Sequence, residues 1–395
     1  MLRSFARSVL AARNSCVTSF KATSLRALST VPNLTTQLKP DSERWNIPPH
    51  TTLKFGHTFT DHMLVMDWNK EKGWNSPQIK PFGDFSIHPA AQVFHYGTEL
   101  FEGMKAYKDA DGELRLFRPM KNMERLENGA RRMALPDFDK EHFLECIKEL
   151  VRVDEKWVPQ ERGYSLYIRP TFIATTPFLG VAPANDARLF CILSPVGPYF
   201  PRGFQAVGLW ATTKYARAWP GGSGNVKAGG NYAITMTPQK EAQDMTYDQV
   251  LWLYSDAHEI TECGAMNCFI YLKNENGEDE LVTPPLDGLT LPGVTRDSIL
   301  NMTREWNEFK VSERKITMEE LVKAVDNGRV YEAFGAGTAA IVSPINRIGY
   351  EGRDLSIPLD PENPNEQAGK LARRIMETIM DIQYGKIEHE WSVKI

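Results

Sequence analysis

The sequence predicts an α+β protein of two domains preceded by a separate N-terminal leader. Three observations lead there. At 395 residues the chain exceeds one average domain. Segments with strand and helix patterning mix without a strict βαβ rhythm, which disfavours a doubly wound parallel sheet. The first thirty residues differ in composition from the rest.

Those thirty residues carry Arg3, Arg7, Arg13, Lys21 and Arg26, many serines and no acidic side chain; Asp41 is the first acid. Arg3 and Arg7 would share one helix face, with Leu2, Phe5, Val9 and Leu10 supplying apolar surface. Residues 1–30 therefore read as a mitochondrial transit peptide, and the expected location is the mitochondrial matrix. Its apolar stretches are too short and too interrupted by arginine for a secretory signal. Loss of the leader would take the formal charge from −4 to −9.

After a polar, proline-containing lead to about residue 50, two strands are expected over Phe101 to Tyr107 and Leu114 to Phe117, joined by Lys108-Asp109-Ala110-Asp111-Gly112. Phe143, Cys146, Ile147, Leu150 and Val151 follow the spacing of a helix with one buried face. Tyr164 to Ala174 and Arg188 to Val196 read as strands. The stretch Gly197-Pro198-Tyr199-Phe200-Pro201-Arg202-Gly203 is rich in turn residues and reads as an interdomain connection. This divides the chain into a small domain over 48–196, a connection over 197–204 and a large domain over 205–395. In the large domain strands are expected near 205–213, 249–255, 266–273 and 279–283, and helices near 231–243, 295–306, 317–325 and 367–383.

Composition limits the function. Hydrophobic residues make up 42% and charged residues 24% of the chain, as in an ordinary globular enzyme. The net charge of −4 argues against a general nucleic-acid partner, and no apolar run approaches the roughly 18 residues of a membrane span. Cys16, Cys146, Cys191, Cys263 and Cys268 are too scattered for a disulfide scaffold. His258, Cys263 and Cys268 fit no standard zinc spacing, so no metal is expected. His95 reads as a buried, hydrogen-bonded structural residue.

Two segments carry chemistry. In Gly221-Gly222-Ser223-Gly224-Asn225-Val226-Lys227-Ala228-Gly229-Gly230-Asn231-Tyr232 a lone lysine is bracketed by glycines that admit close approach. It is not a nucleotide P-loop, because no Gly-Lys-Ser/Thr follows at the required spacing. A lysine in a flexible surface loop has the same pattern. Held beside a cation or desolvated, however, it would lose proton affinity and attack carbonyls, as a Schiff base requires. In Thr261-Glu262-Cys263-Gly264-Ala265-Met266-Asn267-Cys268-Phe269 the carboxylate of Glu262 lies in a small-residue turn before a strand. It is of the type that keeps a pyridine nitrogen protonated, and equally of the type that caps a turn.

Together these segments resemble the signature of the class IV aminotransferases, the fold type IV pyridoxal-phosphate enzymes. Further motifs are similar to the animal-type branched-chain-amino-acid aminotransferases. They are Phe94-His95-Tyr96-Gly97, Leu100-Phe101-Glu102-Gly103-Met104-Lys105-Ala106-Tyr107, Tyr167-Ile168-Arg169-Pro170, Gln249-Val250-Leu251-Trp252-Leu253-Tyr254 and Leu291-Pro292-Gly293-Val294. The resemblance runs from about residue 48 to the C-terminus. It implies a small N-terminal α/β domain, a larger C-terminal pseudo-barrel domain and pyridoxal 5'-phosphate as cofactor.

By that resemblance Lys227 carries the cofactor, Glu262 faces its ring nitrogen and Tyr232 its 3-oxygen. Arg125, the backbone amides of Val294 and Thr295, and the Thr338 hydroxyl would hold the phosphate. Tyr96, Phe101, Tyr167 and Arg169, with Thr338, Ala339 and Ala340, would line the substrate pocket. Leu179 and Val181 would reach a neighbour's site in a homodimer. The implied substrates are the branched-chain amino acids, 2-oxoglutarate and glutamate, exchanged by a ping-pong route. A D-amino-acid aminotransferase or an aminodeoxychorismate lyase shares the lysine and the glutamate, but Tyr167-Ile168-Arg169-Pro170 favours the branched-chain group. A silent scaffold of the same fold would have no use for the intact Lys227, Tyr232 and Glu262.

Overall fold

The computed structural model describes residues 31–199 and 204–395. The leader expected over 1–30, and residues 200–203 of the expected connection, lie outside them. No helix among the described residues is long and apolar enough to cross a membrane.

The first half builds nine strands of a ten-stranded sheet whose centre is His62–Asn69, Asp186–Val196, Ser165–Ala174, Met104–Lys108 and Leu114–Phe117, in that spatial order. The long pair Ser165–Ala174 and Asp186–Val196 is antiparallel along its whole length. Helix Lys140–Val153 covers this sheet. Asp139 caps its start by accepting from the His142 N–H, and Phe143, Cys146, Ile147, Leu150 and Val151 are buried, as their spacing predicts. Each such side chain contributes about 1.5–3 kcal/mol on burial.

The second half closes on itself. Strands Glu259–Cys263, Gln249–Tyr254, Val207–Thr212, Ile341–Tyr350, Val330–Gly337 and Met266–Lys273 pair in sequence, and the last returns to the first. Asp279–Thr283, Lys310–Glu313 and Arg353–Ser356 extend this barrel-like, nine-stranded sheet. Helices Val294–Trp306 and Lys370–Gln383 pack on it through a core that includes Phe269, Phe334 and Ile375. The C-terminal strand Ser392–Lys394 crosses back to pair with Leu114–Phe117 in the first sheet.

Several elements depart from the sequence reading, each for a physical reason. The strand expected over 101–107 is interrupted at Glu102 and Gly103, between Glu99–Phe101 and Met104–Lys108. Gly103 lies against the Tyr167 hydroxyl, where a Cβ would collide. The helix expected over 231–243 is two, Gly229–Ala233 and Met236–Asp244, because Pro238 has no N–H for the Ile234 carbonyl. Helix Pro119–Arg132 escapes apolar periodicity because its buried face includes Asn122 and Arg125. Strand His62–Asn69 escapes alternation because its first five residues are all buried. His95 is exposed rather than buried; it sits on the short surface helix Gln92–Tyr96 and keeps one hydrogen-bond contact, to the Pro89 carbonyl.

Candidate active site

The glycine-rich segment is not a flexible surface loop. The Asn231 amide donates to the carbonyls of Ser223 and Val226, both at 2.7 Å, and its oxygen accepts from the Ser223 hydroxyl at 2.8 Å. Val226 and Ala228, the residues on either side of Lys227, are buried in the core of the first sheet. The Phe101 N–H donates to the Lys227 carbonyl at 3.1 Å, and Leu100 bridges to Ala228. Lys227 is thus clamped between the halves of the molecule, and its Nζ lies 3.0 Å from the Tyr232 hydroxyl.

That Nζ enters a cavity of about 670 Å³ lined by Arg125, Tyr232, Glu262, Val294, Thr295 and Thr338, with Phe101, Tyr167, Arg169, Ala339 and Ala340. Burial, aided by the Arg125 charge, lowers the Lys227 pKa to about 8. Burial likewise pushes the Tyr232 hydroxyl up to about 12, with the Glu262 charge adding to it.

Glu262 lies on a strand rather than in the turn that the sequence suggested. Strand Glu259–Cys263 sets it opposite Trp252 on one side and Asn267 on the other. The turn is the next pair, Gly264 and Ala265. Gly264 has φ +57°, and a Cβ there would strike the Gln249 side chain. Glu262 Oε1 accepts from the Leu291 N–H at 2.9 Å and from the Asn267 amide at 3.2 Å. Arg217 is 2.8 Å from Oε2 as an ion pair, yet no N–H is aimed well enough to make a hydrogen bond to that oxygen. Burial pushes the Glu262 carboxyl above its usual range against the pull of Arg217.

Arg125 forks onto Glu102, with Nε at 2.8 Å from Oε1 and an Nη at 2.7 Å from Oε2; its other Nη donates to the Pro292 carbonyl at 3.0 Å. Burial opposes the Arg125 charge, but the Glu102 carboxylate holds it. Beside it, helix Val294–Trp306 begins with no side chain capping its first N–H groups. These donors suit an anion.

Arg169 differs from the other cavity arginines. Its guanidinium lies over the rings of Phe101 and Tyr167, at 4.7 and 5.1 Å, and donates to the Tyr167 hydroxyl at 3.1 Å. Its buried Nε has no hydrogen-bond partner. Tyr96, Leu179 and Val181 do not line this cavity. They stand exposed together with Phe94 and Phe178, and the Tyr96 hydroxyl donates to the Leu179 carbonyl. Gln92 holds that loop through the Ala182 carbonyl at 2.9 Å.

Sequence reasoning missed Arg217, Asn267 and Glu102 as site residues. Asn267 and Glu102 stand inside quoted motifs, but nothing in their spacing assigns them a partner. Arg217 lies in Ala216-Arg217-Ala218, which carries no signal at all.

Comparison with known proteins decides the family. The model of the amino-transferase class IV family matches residues 99–348. The chain belongs to the class IV aminotransferases, in their branched-chain-amino-acid group. It is 52% identical to the cytosolic branched-chain-amino-acid aminotransferase of Mus musculus over 349 residues, 88% of this chain and 89% of that one. It is 50% identical to the mitochondrial enzyme of Rattus norvegicus over 348 residues, 88% of this chain and 87% of that one. A branched-chain aminotransferase from the thermophilic archaeon Thermoproteus uzoniensis, solved with norvaline, superposes with a TM-score of 0.66 at 25% identity, covering 84% of this chain and 99% of that one.

Class IV aminotransferases work with pyridoxal phosphate, and the residues present fit it. A desolvated lysine suits the aldehyde, and the uncapped helix start beside Arg125 suits the phosphate. The buried Glu262 Oε2 lacks a donor, and a protonated ring nitrogen is one.

Proposed function

We propose that this chain transfers the amino group of L-leucine, L-isoleucine or L-valine to 2-oxoglutarate, giving the branched 2-oxo acid and L-glutamate by a ping-pong route. One cavity supports this reading by joining Lys227 and Glu262 to an apolar wall that carries Arg169, whose buried Nε has no hydrogen-bond partner. When bound, pyridoxal phosphate supplies an aldehyde and an electron-withdrawing ring.

The chain's own residues do the rest. Lys227 would hold the cofactor and, with its amine free, would take the proton from the substrate α-carbon. A pKa of about 8 suits a base working near neutrality. Glu262 keeps the ring nitrogen protonated, with Arg217 and Asn267 fixing its carboxylate. Tyr232 donates to the cofactor's 3-oxygen. Arg125, the N–H groups of Val294 and Thr295, and the Thr338 hydroxyl hold the phosphate. Phe101 and Tyr167 receive a branched side chain, while Arg169 receives the far carboxylate of 2-oxoglutarate or glutamate. The Thr338–Ala340 turn takes the α-carboxylate.

In this reading residues 48–196 form the small domain, 197–204 the connection and 205–395 the cofactor domain. The exposed Leu179 and Val181 belong to a homodimer, each protomer completing its partner's pocket. The leader over 1–30 directs the enzyme to the mitochondrial matrix. A panel of amino donors with 2-oxoglutarate, read as glutamate formed, tests the activity. L-leucine, L-isoleucine and L-valine should turn over; turnover of D-alanine in their place would overturn it.

A further inference from the structure

A second buried lysine stands behind the cavity. Lys105 lies on strand Met104–Lys108 opposite Tyr167 and is only 8% exposed. Its Nζ donates to the Ala339 carbonyl at 2.9 Å, reaching from the first sheet to the turn between Val330–Gly337 and Ile341–Tyr350. Among the described residues no carboxylate forms an ion pair with it, and burial lowers its pKa to about 8. A buried, unpaired cation is costly, and a methionine of similar length would avoid that cost.

The position of this lysine gives it a task. Lys105 does not line the main cavity. It lines a smaller one of about 250 Å³, and Ala339 and Ala340 are shared by both, forming the wall between them. The peptide joining Ala339 to Ala340 is planar and trans, so its carbonyl and its N–H point in opposite directions. With the carbonyl held toward Lys105, the Ala340 N–H is turned to the main cavity. It has no acceptor among the described residues. The turn carries strain: the next residue, Ile341, is β-branched yet has φ +63°, a left-handed backbone that β-branched residues avoid. Rotation of the Ala339 peptide would present a carbonyl oxygen where a donor is needed.

We propose that Lys105 is a positioning residue for the substrate carboxylate, anchoring the Ala339 carbonyl so that the Ala340 N–H faces the bound acid. The inference rests on the reading that the Thr338–Ala340 turn receives that carboxylate.

The test compares two ligands of one shape on the holoenzyme by calorimetry, 4-methylpentanoate and its neutral amide. The wild type should bind the acid roughly tenfold or more tightly than the amide. Absence of that preference would remove the carboxylate reading of the turn, and this inference with it. In Lys105→Met the acid should weaken by about tenfold and the amide hardly at all, with the cofactor's absorbance and the Tm retained. The KM for L-leucine should rise more than kcat falls. An acid preference unchanged from wild type, or equal loss for acid and amide, would overturn the assignment. Should Lys105→Met fail to give folded protein, Lys105→Leu, which likewise carries no donor, serves with the same two outcomes.

Discussion

Lys227 has two influences acting on its proton in the same direction, burial and the Arg125 charge. A lysine lowered from 10.5 to about 8 is mostly neutral, and so nucleophilic, above about pH 8. The rate at which apo-protein captures pyridoxal phosphate should therefore rise with pH to a midpoint near 8. A midpoint near 10.5 would show a solvated lysine. Glu262→Gln keeps the shape and the contacts to Leu291 and Asn267 but removes the charge proposed to face the ring nitrogen. Turnover should fall by about 100-fold or more, with cofactor binding retained; turnover within a few-fold of wild type would move the electron-sink role elsewhere. The sequence exposed Lys227 and Glu262 because their neighbours are small or glycine and sit in motifs. It hid Arg217 and Glu102 because an ion pair formed between distant segments leaves no local pattern. Arg125 illustrates the same limit: on its helix alone it reads as a surface charge, and the distant Glu102 offsets its charge on burial.

At the scale of elements, the segment from Pro177 to Ala182 and the short helix Gln92–Tyr96 form one unit. An Ala91–Pro177 bridge and the Gln92 amide join them. Their outer surface is apolar, with Val181 86% and Leu179 61% exposed, an unusual expense unless another protomer covers it. Val181→Asp would place a carboxylate in the proposed interface, at a cost of several kcal/mol. Light scattering should show dissociation toward monomer, and the KM for L-leucine should rise about tenfold; an intact dimer with unchanged KM would contradict the assignment. Elements with one buried face, such as Lys140–Val153 and Leu114–Phe117, were legible from periodicity. Strands Val330–Gly337 and Ile341–Tyr350, which bound the substrate turn, were not. They are largely buried on both faces, and the first is rich in small residues, so they show neither alternation nor a helical stripe.

Across the whole molecule, the chemistry depends on two sheets meeting. Lys227 belongs to the second half of the chain, but Val226 and Ala228 are packed into the core of the first. The C-terminal strand returns to the first sheet and ties the halves again. The proposed leader over 1–30 can be tested separately. Val31 is buried in the first core, and Thr35–Thr36 pairs with Gln78–Pro81, so the folded unit extends back to residue 31. Protein beginning at Val31 should match the full chain in Tm and turnover and stay outside mitochondria in cells. Loss of activity in the purified, shortened protein would make the leader structural.

The most direct measurement is chemical reduction of the holoenzyme with borohydride, which fixes the cofactor to its lysine, followed by peptide mass mapping. The phosphopyridoxyl group should be found on Lys227, and L-leucine added before reduction should prevent the labelling. Attachment to Lys105, the other lysine lowered to about 8 beside this cavity, or to any other lysine, would contradict the site.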